Sequence, residues 1–160
     1  MKMKKIRSFC LSNGSIPKDK HCTLWYNPMR SAGETEDEKN SRLALVEALL
    51  ARLGEEISYK ELEVLSDTNV TCVTMVIEEP TLYRGESLPH VTMEVSDGAS
   101  PAQSNDLILL HSTKRTADKE APTHKAVLSV MYYTKGKDGK SVKAYSTNPL
   151  DWDCNAWMAL

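Results

Sequence analysis

The chain has 160 residues, of which 41% are hydrophobic and 26% charged, and its formal net charge is −2. These values are typical of one globular domain, and we expect a single domain over residues 1–160. The slightly negative charge excludes a protein that grips long duplex nucleic acid through its phosphates, because such proteins carry a marked basic excess.

The first part of the chain predicts four strands and one helix. Thr35 and Glu38 have the spacing of a capping box, which begins a helix with an apolar stripe that Gly54 ends. The strands show polar and apolar residues in alternation and are bounded by turn-forming residues. They are expected at residues 5–12, 21–26, 59–65 and 70–77.

The second part predicts three strands and one helix. The helix is expected to begin at Ser100, with Pro101 at its first position and Gln103 completing a second capping box, and to end near His111. Residues 114–124 are polar and predict a loop, and the turn at 136–139 predicts a hairpin. The strands are expected at residues 90–96, 126–134 and 142–146.

The order of these elements predicts an α+β fold in two similar halves. Each half has a His-x-Thr sequence on a strand, then a turn and a capped helix. This echo has the form expected of two lobes that face one cleft.

The two His-x-Thr segments are the part of the sequence that indicates chemistry. Residues two apart on a strand lie on the same face, so His21 lies with Thr23, and His90 lies with Thr92. If these faces meet, two imidazoles and two hydroxyls converge. One imidazole can take a proton from water, the other can protonate a leaving oxygen, and the hydroxyls can hold the phosphate oxygens.

The other two histidines predict no such role. His111 also begins a His-x-Thr sequence, but it is expected at a helix end on the surface, and His124 is expected in a loop or at the start of a strand. No metal-binding motif and no phosphate-binding loop is present, so we expect neither a metal nor another cofactor. The alternative for His21 and His90 is that both are polar residues on solvated strand faces.

Aromatic residues near these segments are candidates for contact with a base. Trp25 is expected on the face of His21 and Thr23, and Tyr132, Tyr133 and Tyr145 belong to the last hairpin. The alternative for each is ordinary packing in a sheet. Trp152 and Trp157 are expected to dock the C-terminal tail.

The cysteines and the hydropathy pattern predict a soluble protein of the cytoplasm. The basic start of the chain has no apolar run long enough for a signal peptide, and no later stretch is long enough for a membrane span. The four cysteines are widely spaced without a Cys-x-x-Cys pair, so we expect reduced thiols. They are Cys10, Cys22, Cys72 and Cys154.

The segments His21-Cys22-Thr23-Leu24 and His90-Val91-Thr92-Met93 resemble the paired motifs of the 2H phosphoesterase superfamily. The first segment is most similar to its 2',3'-cyclic-nucleotide 3'-phosphodiesterase branch. The resemblance implies a bilobal fold, with two antiparallel sheets around a central groove and helices outside. It also implies that His90 is the base, that His21 is the acid, and that Thr23 and Thr92 contact the phosphate.

These observations predict a metal-independent phosphodiesterase. We expect a monomer that hydrolyses a 2',3'-cyclic phosphate or a 2'-linked phosphodiester in a nucleotide or short RNA. One alternative is a nuclease of viral or phage type that degrades cyclic dinucleotide or cyclic oligonucleotide immune signals. Another is a nucleotide- or RNA-binding module without catalysis.

Overall fold

The computed structural model describes residues 6–29 and 32–152. Seven strands and two α-helices make up most of this part of the chain. The strands are β1 (Ser8–Ser12), β2 (Cys22–Tyr26), β3 (Glu56–Ser66), β4 (Val70–Ile77), β5 (His90–Val95), β6 (His124–Lys135) and β7 (Ser141–Ser146). The helices are α1 (Glu36–Leu50) and α2 (Gln103–His111). Cys154 and Trp157 lie outside the described residues.

The strands form one antiparallel sheet that closes on itself. Its order is β1-β2-β5-β4-β3-β6-β7, and β1 also pairs with β6, so six strands form a closed barrel and β7 is an added strand. Closure satisfies the hydrogen-bonding groups of the strand edges within the ring.

The predicted bilobal α+β fold is therefore wrong. Within the described residues no two sheets face each other across a groove, because strands from both parts of the chain pair within one ring. The decisive pairings are between β1 and β6 and between β2 and β5, which join residues far apart in sequence. Local alternation predicts that a strand exists, but it does not fix the strand's distant partner.

Strand β6 explains how β7 is attached. Val130 and Met131 each pair with β1 on one side and with β7 on the other, while the beginning of β6 pairs with β3. Strands β3 and β7 thus follow one another along the same edge of β6. As a result, β7 lies beside the barrel, and β6 separates it from β1, which is the neighbour of β2.

The interior of the barrel is filled by alternate residues of its strands. They pack with Val46 and Leu50 of α1 in one buried cluster. Members from the barrel strands include Phe9, Leu11, Cys22, Leu24, Ile57, Met75, Ile77, Val91, Leu128 and Val130. The residues that alternate with Cys22 and Val91 therefore point to the outside of the barrel.

The two helices differ in how well local sequence predicted them. The capping box of Thr35 and Glu38 is present at the start of α1, as predicted. Helix α2 begins at Gln103 and not at Ser100. Of the two hydrogen bonds of the predicted capping box, the one present is accepted by the Gln103 side chain from the Ser100 N–H. Among the described residues, no helix combines the length and the apolar character that a membrane crossing requires.

Candidate functional site

The two His-x-Thr segments lie side by side on neighbouring strands. Cys22 of β2 pairs with Val91 of β5, and both side chains are buried in the barrel, so the flanking His21 and His90 lie outside it. Both imidazoles line one cleft of about 770 Å³, a usual size for a small-molecule site. They share one sheet and do not face each other from two lobes, which corrects the predicted arrangement.

His90 is held by the backbone of the loop before its own strand. Its Nδ1 lies 2.8 Å from the carbonyl oxygen of Leu88. A carbonyl oxygen only accepts hydrogen bonds, so Nδ1 carries the proton and donates it. The neutral ring consequently has its lone pair at Nε2, which suits a group that accepts a proton.

His21 is held by a residue from the other end of the chain. Its Nδ1 lies 2.9 Å from the hydroxyl oxygen of Tyr145 on β7, and the two ring centroids are 5.7 Å apart. The sequence makes Tyr145 a candidate for stacking and does not indicate this contact. The only signal was the predicted last hairpin, which does not reveal that β7 lies near the start of β2.

Burial and positive charge lower the proton affinity of His21. Its pKa falls to about 4, first because burial disfavours the charged ring, and then because of the positive charges of Lys143, His90 and Lys20. Burial also lowers the pKa of His90, and the bond to Leu88 opposes that shift. Both rings are therefore neutral at neutral pH when the cleft is empty.

Tyr145 keeps its proton under the same conditions. Burial raises the pKa of its phenol to about 12, and the neighbouring Cys10 adds to the shift. The neutral hydroxyl can donate to Nδ1 of a neutral His21 or accept from Nδ1 of a protonated one. In both states Nε2 of His21 is the ring nitrogen left for a ligand.

The two threonines line the same cleft as the histidines. The hydroxyl of Thr92 lies 2.9 Å from that of Ser104, a buried residue of α2. This contact ties the outer face of β5 to the helix that covers the barrel. Thr23 and Thr92 thus present two hydroxyl groups close to two imidazoles.

The structure places some of the aromatic candidates in the cleft wall and others outside it. Trp25 and Tyr133 line the cleft, and the guanidinium of Arg84 lies 4.8 Å from the centroid of the Trp25 ring. Tyr132 is not part of the cleft wall, because its ring packs edge-on against Trp152 at 5.4 Å. Trp152 is buried, as expected of a residue that docks the tail.

Charged residues around the cleft were not predicted from the sequence. Its wall includes the cations Lys20, Lys143 and Arg84 and the carboxylates of Asp19, Glu86 and Asp106. Lys20 and Lys143 are the cations whose charge acts on His21, so the region of the histidines is positive. Such a region favours an anionic group.

The remaining histidines lie elsewhere. His111 is the exposed last residue of α2, and His124 begins β6, where its ring packs 5.4 Å from Tyr59. Neither is part of the cleft wall. Within residues 6–29 and 32–152, no three His, Cys, Asp or Glu side chains form a group suited to a metal ion.

Comparison with known proteins assigns no family to the chain. It matches no model of a known protein family, no curated protein and no solved structure.

Proposed function

We propose that this protein is a two-histidine phosphodiesterase. It hydrolyses a 2',3'-cyclic phosphate or a 2'-linked phosphodiester in a nucleotide or short oligonucleotide. The observation that carries the proposal is the cleft in which His21, His90, Thr23 and Thr92 meet. The motifs of these residues resemble those of the 2H phosphoesterases, and we propose the kinship on the motifs alone.

The proposed reaction uses the two imidazoles in opposite senses. Nε2 of His90 takes a proton from water while the water oxygen forms a bond to phosphorus. The bond from phosphorus to a ribose oxygen breaks, and that oxygen takes the proton of Nε2 of protonated His21. The products are a phosphomonoester and a hydroxyl, and the pair ends with the proton on His90.

The tautomer of His90 supports this division of roles. With Nδ1 donating to Leu88, the neutral ring has an unprotonated Nε2, which is the form a base requires. The hydroxyl of Tyr145 can donate to Nδ1 of His21 or accept from it. It therefore holds the His21 ring in place in both the neutral and the protonated state. A bound phosphate anion beside His21 raises the proton affinity that burial and the lysines lower.

The same surroundings supply the binding of the phosphate. The hydroxyls of Thr23 and Thr92 donate to its non-bridging oxygens, and Lys20 and Lys143 add positive charge at the same end of the cleft. These groups meet the phosphate charge without a metal ion, and we propose a metal-independent reaction.

We also propose that the protein works in a reducing compartment such as the cytoplasm. Cys10, Cys22 and Cys72 are free and buried in the structure. Burial raises the pKa of the Cys22 thiol to about 12, which keeps it unreactive.

A panel of substrates, each assayed with and without a chelator, tests the proposal. It contains 2',3'-cyclic mononucleotides, 2'-5'-linked dinucleotides and cyclic dinucleotides, with release of a phosphomonoester as the readout. We expect turnover of at least one compound at the same rate in chelator. Binding without turnover across the panel would instead support a nucleotide-binding module. Loss of activity in chelator that a divalent metal restores would contradict the metal-independent mechanism.

A further inference from the structure

A second cavity lies directly beside the histidine cleft. Its volume is about 560 Å³, and it shares Trp25, Tyr26 and Arg84 with the first cavity. Its other side is formed by α1, including Ser41 and Leu45. The two cavities are thus separated only by residues at the end of β2 and by Arg84.

The wall of this second cavity presents flat and apolar surface to solvent. Tyr26 is 63% exposed and Leu45 is 41% exposed, and both side chains line this cavity. At the shared wall, the guanidinium of Arg84 lies against the Trp25 ring. Aromatic rings and guanidinium planes are the surfaces on which nucleic acid bases stack.

The charges in the second cavity favour a base over a phosphate. The carboxylates of Asp37 and Glu38 line it, and these groups repel phosphate but accept hydrogen bonds from the N–H groups of a base. Arg42 is engaged by Glu34 at 2.6 Å and by the carbonyl oxygen of Pro28 at 2.7 Å. Among the described residues, Arg84 is the cation that lines both cavities.

The spacing along β2 fits one nucleotide between the two cavities. Thr23 lines the first cavity, and Trp25, two residues further on, lines both. Two strand residues span ~6.6 Å, which is within the reach of one nucleoside attached to a phosphate at Thr23.

We infer that the second cavity binds a second nucleoside, attached to the phosphate on which His21 and His90 act. The substrate is then a dinucleotide or longer oligonucleotide, linear or cyclic, and a mononucleotide fills only half of the site. This inference rests on the proposed function and specifies its substrate class.

A tryptophan placed in the second cavity tests the inference. Ser41 is exposed on α1, so Ser41→Trp fills the cavity without disturbing the core. Asn40→Trp is the matched control, because Asn40 is exposed on the same helix and lines neither cavity. The substrates are adenosine 2',3'-cyclic phosphate, 2'-5'-linked diadenosine monophosphate and cyclic diadenosine monophosphate.

We expect the wild-type protein to have its highest kcat/KM on one of the dinucleotides. Ser41→Trp should lower that value at least tenfold and leave hydrolysis of the mononucleotide within twofold, while Asn40→Trp changes neither. A wild-type preference for the mononucleotide would overturn the inference. So would an equal effect of Ser41→Trp on all three substrates, or no effect.

Binding separates this inference from the proposed reaction. Calorimetry with the phosphorothioate forms of the two dinucleotides measures affinity without turnover. One outcome is that the wild-type protein hydrolyses none of the substrates, while Ser41→Trp weakens dinucleotide binding at least tenfold and Asn40→Trp does not. In that case the proposed reaction is wrong and the nucleoside site stands. If neither dinucleotide binds more tightly to the wild-type protein than to Ser41→Trp, the nucleoside site is wrong.

Discussion

At the scale of single residues, the surroundings of His21 decide when the proposed site is active. Its ring lies among a phenol, two lysines and a second imidazole, and its pKa is lowered to about 4. The pKa of His90 is lowered as well. Because the reaction needs one charged and one neutral ring, the free protein reaches that state mainly below the ordinary imidazole pKa of about 6.5.

The pH profile should respond to Lys143. After burial, Lys143 is the largest cause of the low pKa of His21, so Lys143→Gln should raise that pKa and shift the pH profile of kcat/KM, whose limbs belong to the pair of rings, to higher pH. KM should rise about fivefold, since a charge near the phosphate is worth ~1 kcal/mol. The measurement is a profile of kcat/KM from pH 4 to 9, in which the wild-type optimum should lie below pH 6.5.

Lys137→Gln is the control for this profile. Lys137 lies in the turn between β6 and β7 and lines neither cavity, so its profile should match that of the wild type. An unchanged kcat/KM profile in Lys143→Gln would contradict the role of Lys143 in lowering the pKa of His21.

The sequence predicted more of the site's reacting groups than of their supports. The reacting groups come from short His-x-Thr motifs, and a strand displays both residues of such a motif on one face. The structure brings all four into one cleft, namely His21, Thr23, His90 and Thr92. Tyr145 and Ser104 were missed because their contacts depend on strands and a helix brought together from distant parts of the chain.

At the scale of elements, β7 connects the last hairpin with the site. It is the one described strand outside the closed ring, and its pairing with β6 sets Tyr145 opposite Met131, which lines the cleft. Local sequence predicted the hairpin itself, because its turn residues are specific. It did not predict that this hairpin supports the ring of His21.

Removing the hydroxyl of Tyr145 should disturb His21 and leave the fold intact. In Tyr145→Phe, Nδ1 of His21 loses its 2.9 Å partner, so the ring is held less well and the protonated form is less stabilised. We expect kcat to fall about tenfold with KM within twofold, and the pH profile to change. The readouts are kcat, KM and the pH profile, with the melting temperature as a check on folding.

Tyr133→Phe provides the matched comparison on the neighbouring strand. Tyr133 lines the cleft, and the guanidinium of Arg7 lies 5.4 Å from the centroid of its ring, so this variant should leave the pH profile unchanged. If Tyr145→Phe lowers the melting temperature while its kcat and pH profile stay those of the wild type, Tyr145 is only structural.

Local and distant interactions also explain which elements were predicted. The capping box of α1 and the alternation of β2 and β5 act over a few residues, and the structure confirms those elements. The predicted bilobal assembly failed because closure of the ring depends on pairing β1 with β6 across more than a hundred residues. Such pairing has no local signature in the sequence.

At the scale of the whole molecule, the closed barrel is a rigid support for a cleft on its outer face. Its interior is apolar, and the residues that alternate with the core on β2 and β5 form the site. The structure places two partly buried imidazoles at a positive region, and this arrangement makes folding stability depend on pH.

The stability should fall in acid partly because of His21. Its folded pKa of about 4 lies below the unfolded value of 6.5, so between these values the unfolded chain binds more protons. The stabilisation is complete above pH 6.5 and is lost as the pH falls towards 4. His21→Asn removes this contribution, so between pH 7 and pH 4.5 the wild type should lose about 2 kcal/mol more than the variant.

Urea denaturation at several pH values measures this difference. His111→Asn is the control, since His111 is exposed at the end of α2, and it should follow the wild type. Parallel pH dependences for the wild type and His21→Asn would show that the ring is not held in its neutral form.

The central claim is that His21 and His90 act together on one phosphate. The direct test is kcat for the best substrate of the panel in His21→Ala, His90→Ala and the double variant, with His111→Ala as control. Each single change should lower kcat by about 10²–10⁴-fold, the double variant should be little worse than the poorer single one, and His111→Ala should stay within twofold. The claim is contradicted if either single variant keeps more than a tenth of the wild-type kcat, or if His111→Ala is as damaging as His90→Ala.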